Sequence, residues 1–175
     1  MHRHAQIPSR ALLLLALAMA AAAAPRPAHA TRCPVAPLEI PAARFALAPV
    51  LATPPDENVL APLTLPDQWR ARRSDASGFA WYRLELDLPD GGGDERCGVL
   101  LPDVNMNAAV FVNGNWIGDG GSFAEPVVHN FNRPLYFQFP PALLRPGKNE
   151  IDVLLFAYAH HFGRLAPVWS GRTRR

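Results

Sequence analysis

From Ala80 to Leu88 the chain alternates strictly. Ala80, Tyr82, Leu84, Leu86 and Leu88 fall on one side, Trp81, Arg83, Glu85 and Asp87 on the other. A two-residue period marks a strand with one buried and one wet face, and Pro89-Asp90-Gly91-Gly92-Gly93 ends it with loop chemistry. Cys97–Leu101 is a second run, closed by Pro102, and Ala108–Val112 a third. The third meets Asn113-Gly114, two residues that tolerate the positive φ of a type I′ hairpin turn, so the chain is predicted to reverse into Asn115–Gly118. A glycine-rich loop, Asp119-Gly120-Gly121-Ser122, comes next. Pro134–Phe139 alternates again, Pro141–Leu144 allows one helical turn, and Lys148–Tyr158 and Leu165–Trp169 supply the last strands. Upstream, residues 31–66 are rich in Pro and Ala and predict an extended lead-in with one or two first strands, such as Arg44–Leu47, and a turn at Pro54-Pro55-Asp56. Recurrent prolines leave no room for a long helix. Seven to nine short strands separated by turn signals predict an all-β protein, an antiparallel β-sandwich of the jelly-roll kind.

The first thirty residues do not fit that pattern. Arg3 and Arg10 precede an apolar run, Ala11–Ala24, and Ala28-His29-Ala30 offers a small-residue cleavage site. This is the layout of a secretory signal peptide over residues 1–30. Its apolar run is shorter than the roughly 20 residues that a bilayer span requires. Cys33 follows Thr31-Arg32, which is not a lipoprotein cleavage motif. A periplasmic location is therefore expected, with a single domain of ordinary size after the leader. Removing Arg3, Arg10 and Arg26 takes the formal charge from +2 to −1, and a near-neutral surface argues against nucleic acid as a partner. The cluster Arg70-Ala71-Arg72-Arg73 reads as the solvated flank of a turn. Cys33 and Cys97 form an even set in an oxidising compartment, consistent with one disulfide; two unpaired buried thiols are the alternative.

Three stretches carry a resemblance: Trp81-Tyr82-Arg83; Val112-Asn113-Gly114 with Ile117-Gly118; and Leu144-Arg145-Pro146-Gly147-Lys148-Asn149-Glu150-Ile151. Their order resembles the galactose-binding-like jelly roll that is the sugar-binding domain of glycoside hydrolase family 2, over residues 67–171. With Ile117-Gly118-Asp119-Gly120-Gly121 and Asn132-Arg133-Pro134-Leu135-Tyr136, the chain most resembles the periplasmic sensing domain of bacterial membrane sensor histidine kinases. The resemblance implies a β-sandwich outside the inner membrane, with loops at one end open to ligands. In the sensors such a domain precedes membrane spans and a kinase. Here Arg172–Arg175 is a basic tail, and the chain is expected to be a free-standing module or the front end of a receptor. Contact with a membrane would come only through a partner or a missing C-terminal part.

A pyranose has apolar C–H faces and a ring of hydroxyls, so sugar sites combine aromatic platforms with directed polar groups. Trp116, Phe123, His129 and Asn130 are the candidate ligand-binding residues, beside glycines 118, 120 and 121 that allow close backbone approach. Trp116 and Phe123 could equally be packing residues. Trp69, Trp81 and Trp169 share that ambiguity, Trp81 lying opposite the leucine face of its strand. His160-His161 does not suggest a metal, because adjacent strand residues point to opposite faces. No cofactor is expected; structural calcium stays open, with Asp103, Asn105 and Asn107 as oxygen donors outside any EF-hand pattern. Gly92-Gly93-Asp94-Glu95 superficially matches a diguanylate cyclase signature, but Arg96 takes the usual Phe place. No G-x-S-x-G elbow occurs. The glycosidase relatives keep their chemistry in a separate barrel, so no catalytic residue is assigned and the chain is not expected to be an enzyme. The expected function is recognition of a carbohydrate-like or small polar ligand, as the sensing part of a signalling receptor. The alternative is a structural domain that docks on a membrane receptor partner without any small ligand.

Overall fold

The computed structural model describes residues 33–48, 53–88, 96–159, 161 and 163–173. The expected signal peptide over residues 1–30 and the Gly92–Glu95 stretch lie outside these residues. The strands are β1 (Leu38–Ile40), β2 (Ala42–Ala48), β3 (Ala61–Thr64), β4 (Asp67–Gln68), β5 (Gly78–Leu88), β6 (Cys97–Leu101), β7 (Val104–Asn105), β8 (Asn107–Val112), β9 (Asn115–Asp119), β10 (Leu135–Phe139), β11 (Gly147–Ala157), β12 (Arg164–Leu165) and β13 (Val168–Arg172). Helix is confined to α1 (Trp69–Arg72) and two 3-10 turns, Glu57–Val59 and Pro141–Leu143, among the described residues. The strands form a four-stranded sheet ordered β1-β13-β6-β10, a six-stranded sheet ordered β3-β2-β5-β11-β8-β9, and a small sheet β4-β12-β7. The strand pairings are antiparallel. The architecture is the antiparallel β-sandwich that the alternation predicts.

The long pair β5–β11 is the spine, in register from Leu88 opposite Gly147 to Gly78 opposite Ala157. Its inward positions, Tyr82, Leu84, Leu86, Ile151, Val153 and Leu155, are sealed from solvent, as are Val99, Leu101 and Val168 from the facing sheet. Each such aliphatic side chain contributes about 1.5–3 kcal/mol on burial. One polar network interrupts this core. Trp69 Nε1 donates to Tyr82 Oη (2.8 Å), which donates to Asp67 Oδ2 (2.7 Å), and Arg73 closes on the same carboxylate oxygen at 2.5 Å.

Asn113 and Gly114 adopt φ of 48° and 79°, giving the reversal between β8 and β9. Buried Asn149 braces the neighbouring turn: its side chain bonds both the N–H and the C=O of Arg145 and accepts from Asn113 Nδ2 at 2.9 Å. Cys33 and Cys97 are disulfide-bonded, with Cα atoms 5.5 Å apart.

Several boundaries shift from those expected. Within the expected lead-in, the described strands β1, β2 and β3 belong to the sandwich sheets, because β1 pairs with β13 and β2 lies between β3 and β5. The final piece expected at Leu165–Trp169 is two strands in different sheets, β12 and β13. Arg172 ends β13 opposite Cys97 instead of opening a tail. Helix α1 was not anticipated. It is fixed by tertiary contacts: the Trp69 N–H bonds the Gly163 carbonyl at 2.8 Å, and Gly163 has no room for a Cβ against the indole ring.

Candidate functional site

The six-stranded sheet buries one face in the core and turns the other outward, and that outer face is divided. Its lower half is ionic. Arg83 meets Asp152 Oδ1 at 2.8 Å and Glu57 Oε2 at 3.2 Å, Arg44 also pairs with Glu57, and Lys148 meets Glu85 at 2.8 Å. The hydrogen bond to Asp152 leads the effects that push the Arg83 guanidinium above its ordinary value. These carboxylates are held by cations.

The upper half is aromatic. Phe79 packs on Phe123 (centroids 5.8 Å) and on Phe156 (4.9 Å); Phe156 meets Tyr158 (5.1 Å), Tyr158 meets His161 (5.8 Å), and His161 meets His129 (5.7 Å). This run, edge-to-face except for the tilted Phe79–Phe123 pair, climbs from the sheet to the loop end of the sandwich. Trp81 lies beneath it against Phe111 (5.5 Å), buried with Ala46, Leu60, Ala109 and Leu154. Both faces of β5 are therefore covered at this end, which settles the position of Trp81. At the loop end, Tyr158 Oη donates to Glu125 Oε2 at 2.5 Å, and that bond raises the tyrosine pKa. Phe131 is 59% exposed, with the Arg164 guanidinium 5.9 Å from its ring centre; Arg164 in turn bonds Asp103 Oδ1 at 2.8 Å.

The four sequence candidates separate. Phe123 and His129 are the two ends of the aromatic run. Trp116, 60% exposed, stands on the same sheet face at the edge strand β9, paired with Phe111 across the ladder. Asn130 is fully buried, and its side-chain amide donates to Asn107 Oδ1 (2.9 Å) and the Gly120 carbonyl (3.1 Å). It holds the glycine-rich loop from within and presents nothing to a ligand. Sequence reading missed Tyr158, Glu125 and Phe131. The recurrence of Phe156 and Tyr158 on one strand face was the available signal; Glu125 lies 33 positions from Tyr158, and only the fold unites them.

Among the described residues no group of three His, Cys, Asp or Glu could hold a metal ion. The donors considered for calcium have other partners: Asp103 takes Arg164, Asn105 Nδ2 donates to the His161 carbonyl, and Asn107 bonds Gly121 O and the Ala108 N–H. His160 lies outside the described residues. An open groove of about 710 Å³ lies elsewhere, between β1, β2 and β3, and none of the four candidates lines it. No helix among the described residues is long and apolar enough to cross a membrane.

No protein-family model matches the sequence, and no curated protein matches it. Solved structures do match in fold. A glycoside hydrolase family 2 β-galacturonidase from Eisenbergiella tayi, bound to glycerol, superposes with a TM-score of 0.57 at 16% identity, over 82% of this chain and 25% of that one. Bacteroides uniformis β-glucuronidase gives 0.60 at 18% identity, over 78% and 18%. A family 2 member from Bacteroides cellulosilyticus DSM 14838 gives 0.60 at 14% identity, over 79% and 21%. This chain spans a quarter or less of these enzymes' lengths. What they share with this chain is a β-sandwich fold.

Proposed function

We propose that this chain is a non-catalytic recognition module that takes a carbohydrate-like or small polar ligand at the loop end of the sandwich. The observation that carries this reading is the aromatic run from Phe123 to His129, whose Tyr158 bonds Glu125, together with exposed Phe131 beside Arg164. Ring faces offer stacking for the apolar side of a sugar, and the charged groups offer partners for its hydroxyls. Trp116 extends the aromatic surface along β9. Likeness in fold to enzymes named for glucuronides and galacturonides supports a saccharide class. The leader-like first thirty residues and the disulfide support export to the periplasm. There the module serves as the sensing part of a receptor, a role suggested by the sensor-domain resemblance.

A thermal-shift screen of the purified protein against neutral and acidic monosaccharides, with calcium chloride as a separate arm, tests this. A ligand at 100 times its Kd stabilises by about 2.7 kcal/mol. A saccharide hit lost in His129→Ala and Phe131→Ala, with Trp116→Ala weakening it, is the expected outcome. Hits indifferent to these variants would refute the site. Silence across the saccharides would favour a second reading, protein docking without a small ligand, for which the apolar floor of the groove between β1 and β3 is the supporting feature.

A further inference from the structure

The outer face of the four-stranded sheet carries an aromatic row that the loop-end site does not use. Trp169 on β13, Leu100 on β6 and Tyr136 on β10 are in direct cross-strand register. Trp169 and Leu100 are half-buried, and Tyr136 is 50% exposed. The tyrosine lies across the backbone of Gly98. A Cβ at that glycine would sit 2.5 Å from the phenol oxygen and 2.6 Å from a ring carbon. Only glycine leaves room for the Tyr136 ring to rest against the sheet at that position.

Beside Tyr136 the row runs into a cleft of about 580 Å³, walled by Asp119 and Arg133 and floored by Gly120 and Gly121. The floor is kept low by packing, since a Cβ on Gly120 would fall 2.4 Å from Asn130 Nδ2 and 2.5 Å from Asn107 Oδ1. Among the described residues the Arg133 side chain makes no ion pair. The other side chain on this face of β10, Gln138, is exposed and neutral.

We infer that this face is a second carbohydrate site, one for an unbranched neutral glycan laid across the strands. Tyr136 and Trp169 stack two of its sugar rings, and Arg133 with Asp119 directs hydroxyls at the Tyr136 end. Trp169 and Tyr136 stand two strand spacings apart, about 9.5 Å, a reach that a single pyranose does not cover. The site therefore selects chains over monosaccharides. Glu39, opposite Trp169 on β1, and Asp119 beside Arg133 leave the row without the excess positive charge a nucleic acid needs, and place acceptors and a donor at its two ends for the hydroxyls of a neutral glycan. The inference is independent of the loop-end reading.

Isothermal titration of the full protein with cellohexaose, xylohexaose, mannohexaose and maltohexaose tests it. At least one hexasaccharide should bind, and its monosaccharide should bind about tenfold more weakly or worse, the cost of forgoing one stacked ring. Tyr136→Ala should weaken hexasaccharide binding by about tenfold, Tyr136→Phe should retain most of it, and Arg133→Ala should weaken it by a smaller factor. Circular dichroism would verify that each variant is folded. The same titrations into His129→Ala, in which the loop-end site is disabled, separate the two sites: hexasaccharide binding that depends on Tyr136 should persist there. Failure of all four hexasaccharides to bind would overturn the inference, as would binding indifferent to Tyr136→Ala and Arg133→Ala. So would a dimer that dissociates in Tyr136→Ala, since the face would then be a contact between copies.

Discussion

Tyr82 shows how a single buried polar group sets the pH range of the fold. Its hydroxyl stands between the Trp69 indole and the Asp67 carboxylate, in a core that excludes water. Burial above all, then the charge and hydrogen bond of Asp67, push its pKa far above the ordinary value. An unfolded tyrosine titrates near about pH 10. The folded state therefore holds its proton through a range in which the unfolded chain loses it. Stability contributed this way is complete below about pH 10 and declines as pH climbs beyond it. Tyr82→Phe should cost about 1–3 kcal/mol at neutral pH, because Trp69 Nε1 and Asp67 Oδ2 each lose a partner. The variant should also show a shallower alkaline decline, so the gap between the two proteins narrows above pH 10. Urea unfolding at pH 7, 9 and 10.5 measures both effects, and parallel curves would contradict this account. Sequence alone could not have found the network. Asp67, Trp69, Arg73 and Tyr82 are close along the chain, but what makes Tyr82 a core residue with a polar tip is the carboxylate folded underneath it.

At the scale of elements, legibility followed locality. Strands β5, β8 and β11 were visible because their alternation is written into their own residues, and the turn at Asn113-Gly114 because its backbone demands are local. Two-residue strands such as β4 and β7 left no signal, since only their partner β12 defines them. The aromatic half of the outer face was hidden for a similar reason: the alternation left Trp81 open between a covered second face and solvent, and its burial among Leu60, Leu154 and Phe111, with Phe123 packed beside them, comes from distant parts of the chain. The turn glycines offer a clean test of this local contribution. Gly114 and Gly147 have φ of 79° and 78°, and a Cβ at either position would meet nothing within 4 Å. Alanine there costs only the left-handed backbone conformation, about 1–2 kcal/mol at each site. Gly118→Ala differs, because its Cβ would strike the Phe137 ring at 2.5 Å. It should destabilise further and perturb packing, visible as changed near-ultraviolet dichroism, which the other two variants should leave intact.

The whole molecule is closed by ties between distant parts of the chain. Cys33 is bonded to Cys97 at the start of β6, across 64 positions, and the Arg172 N–H reaches the Pro34 carbonyl at 2.9 Å. The first described residues are thus fastened to β6 by a covalent bond and to the last strand by β1–β13 pairing. The even cysteine count was legible beforehand through compartment chemistry; the non-covalent half of the closure was not, because residues 34–40 show no alternation. The two ties act differently. The disulfide restricts the unfolded chain, and for a loop of this size its loss costs about 2–4 kcal/mol. The β1 pairing is a native-state contact of three residues at a sheet edge, and edge segments open locally at less than the global cost. Cys33→Ser/Cys97→Ser should therefore lower the urea midpoint with little change in the β5–β11 spine. Its sharpest effect on hydrogen exchange should fall on residues 38–40, whose tether has been cut. Equal acceleration in β1 and β11 would instead mean that the sandwich opens as one unit, with the disulfide supporting both sheets together.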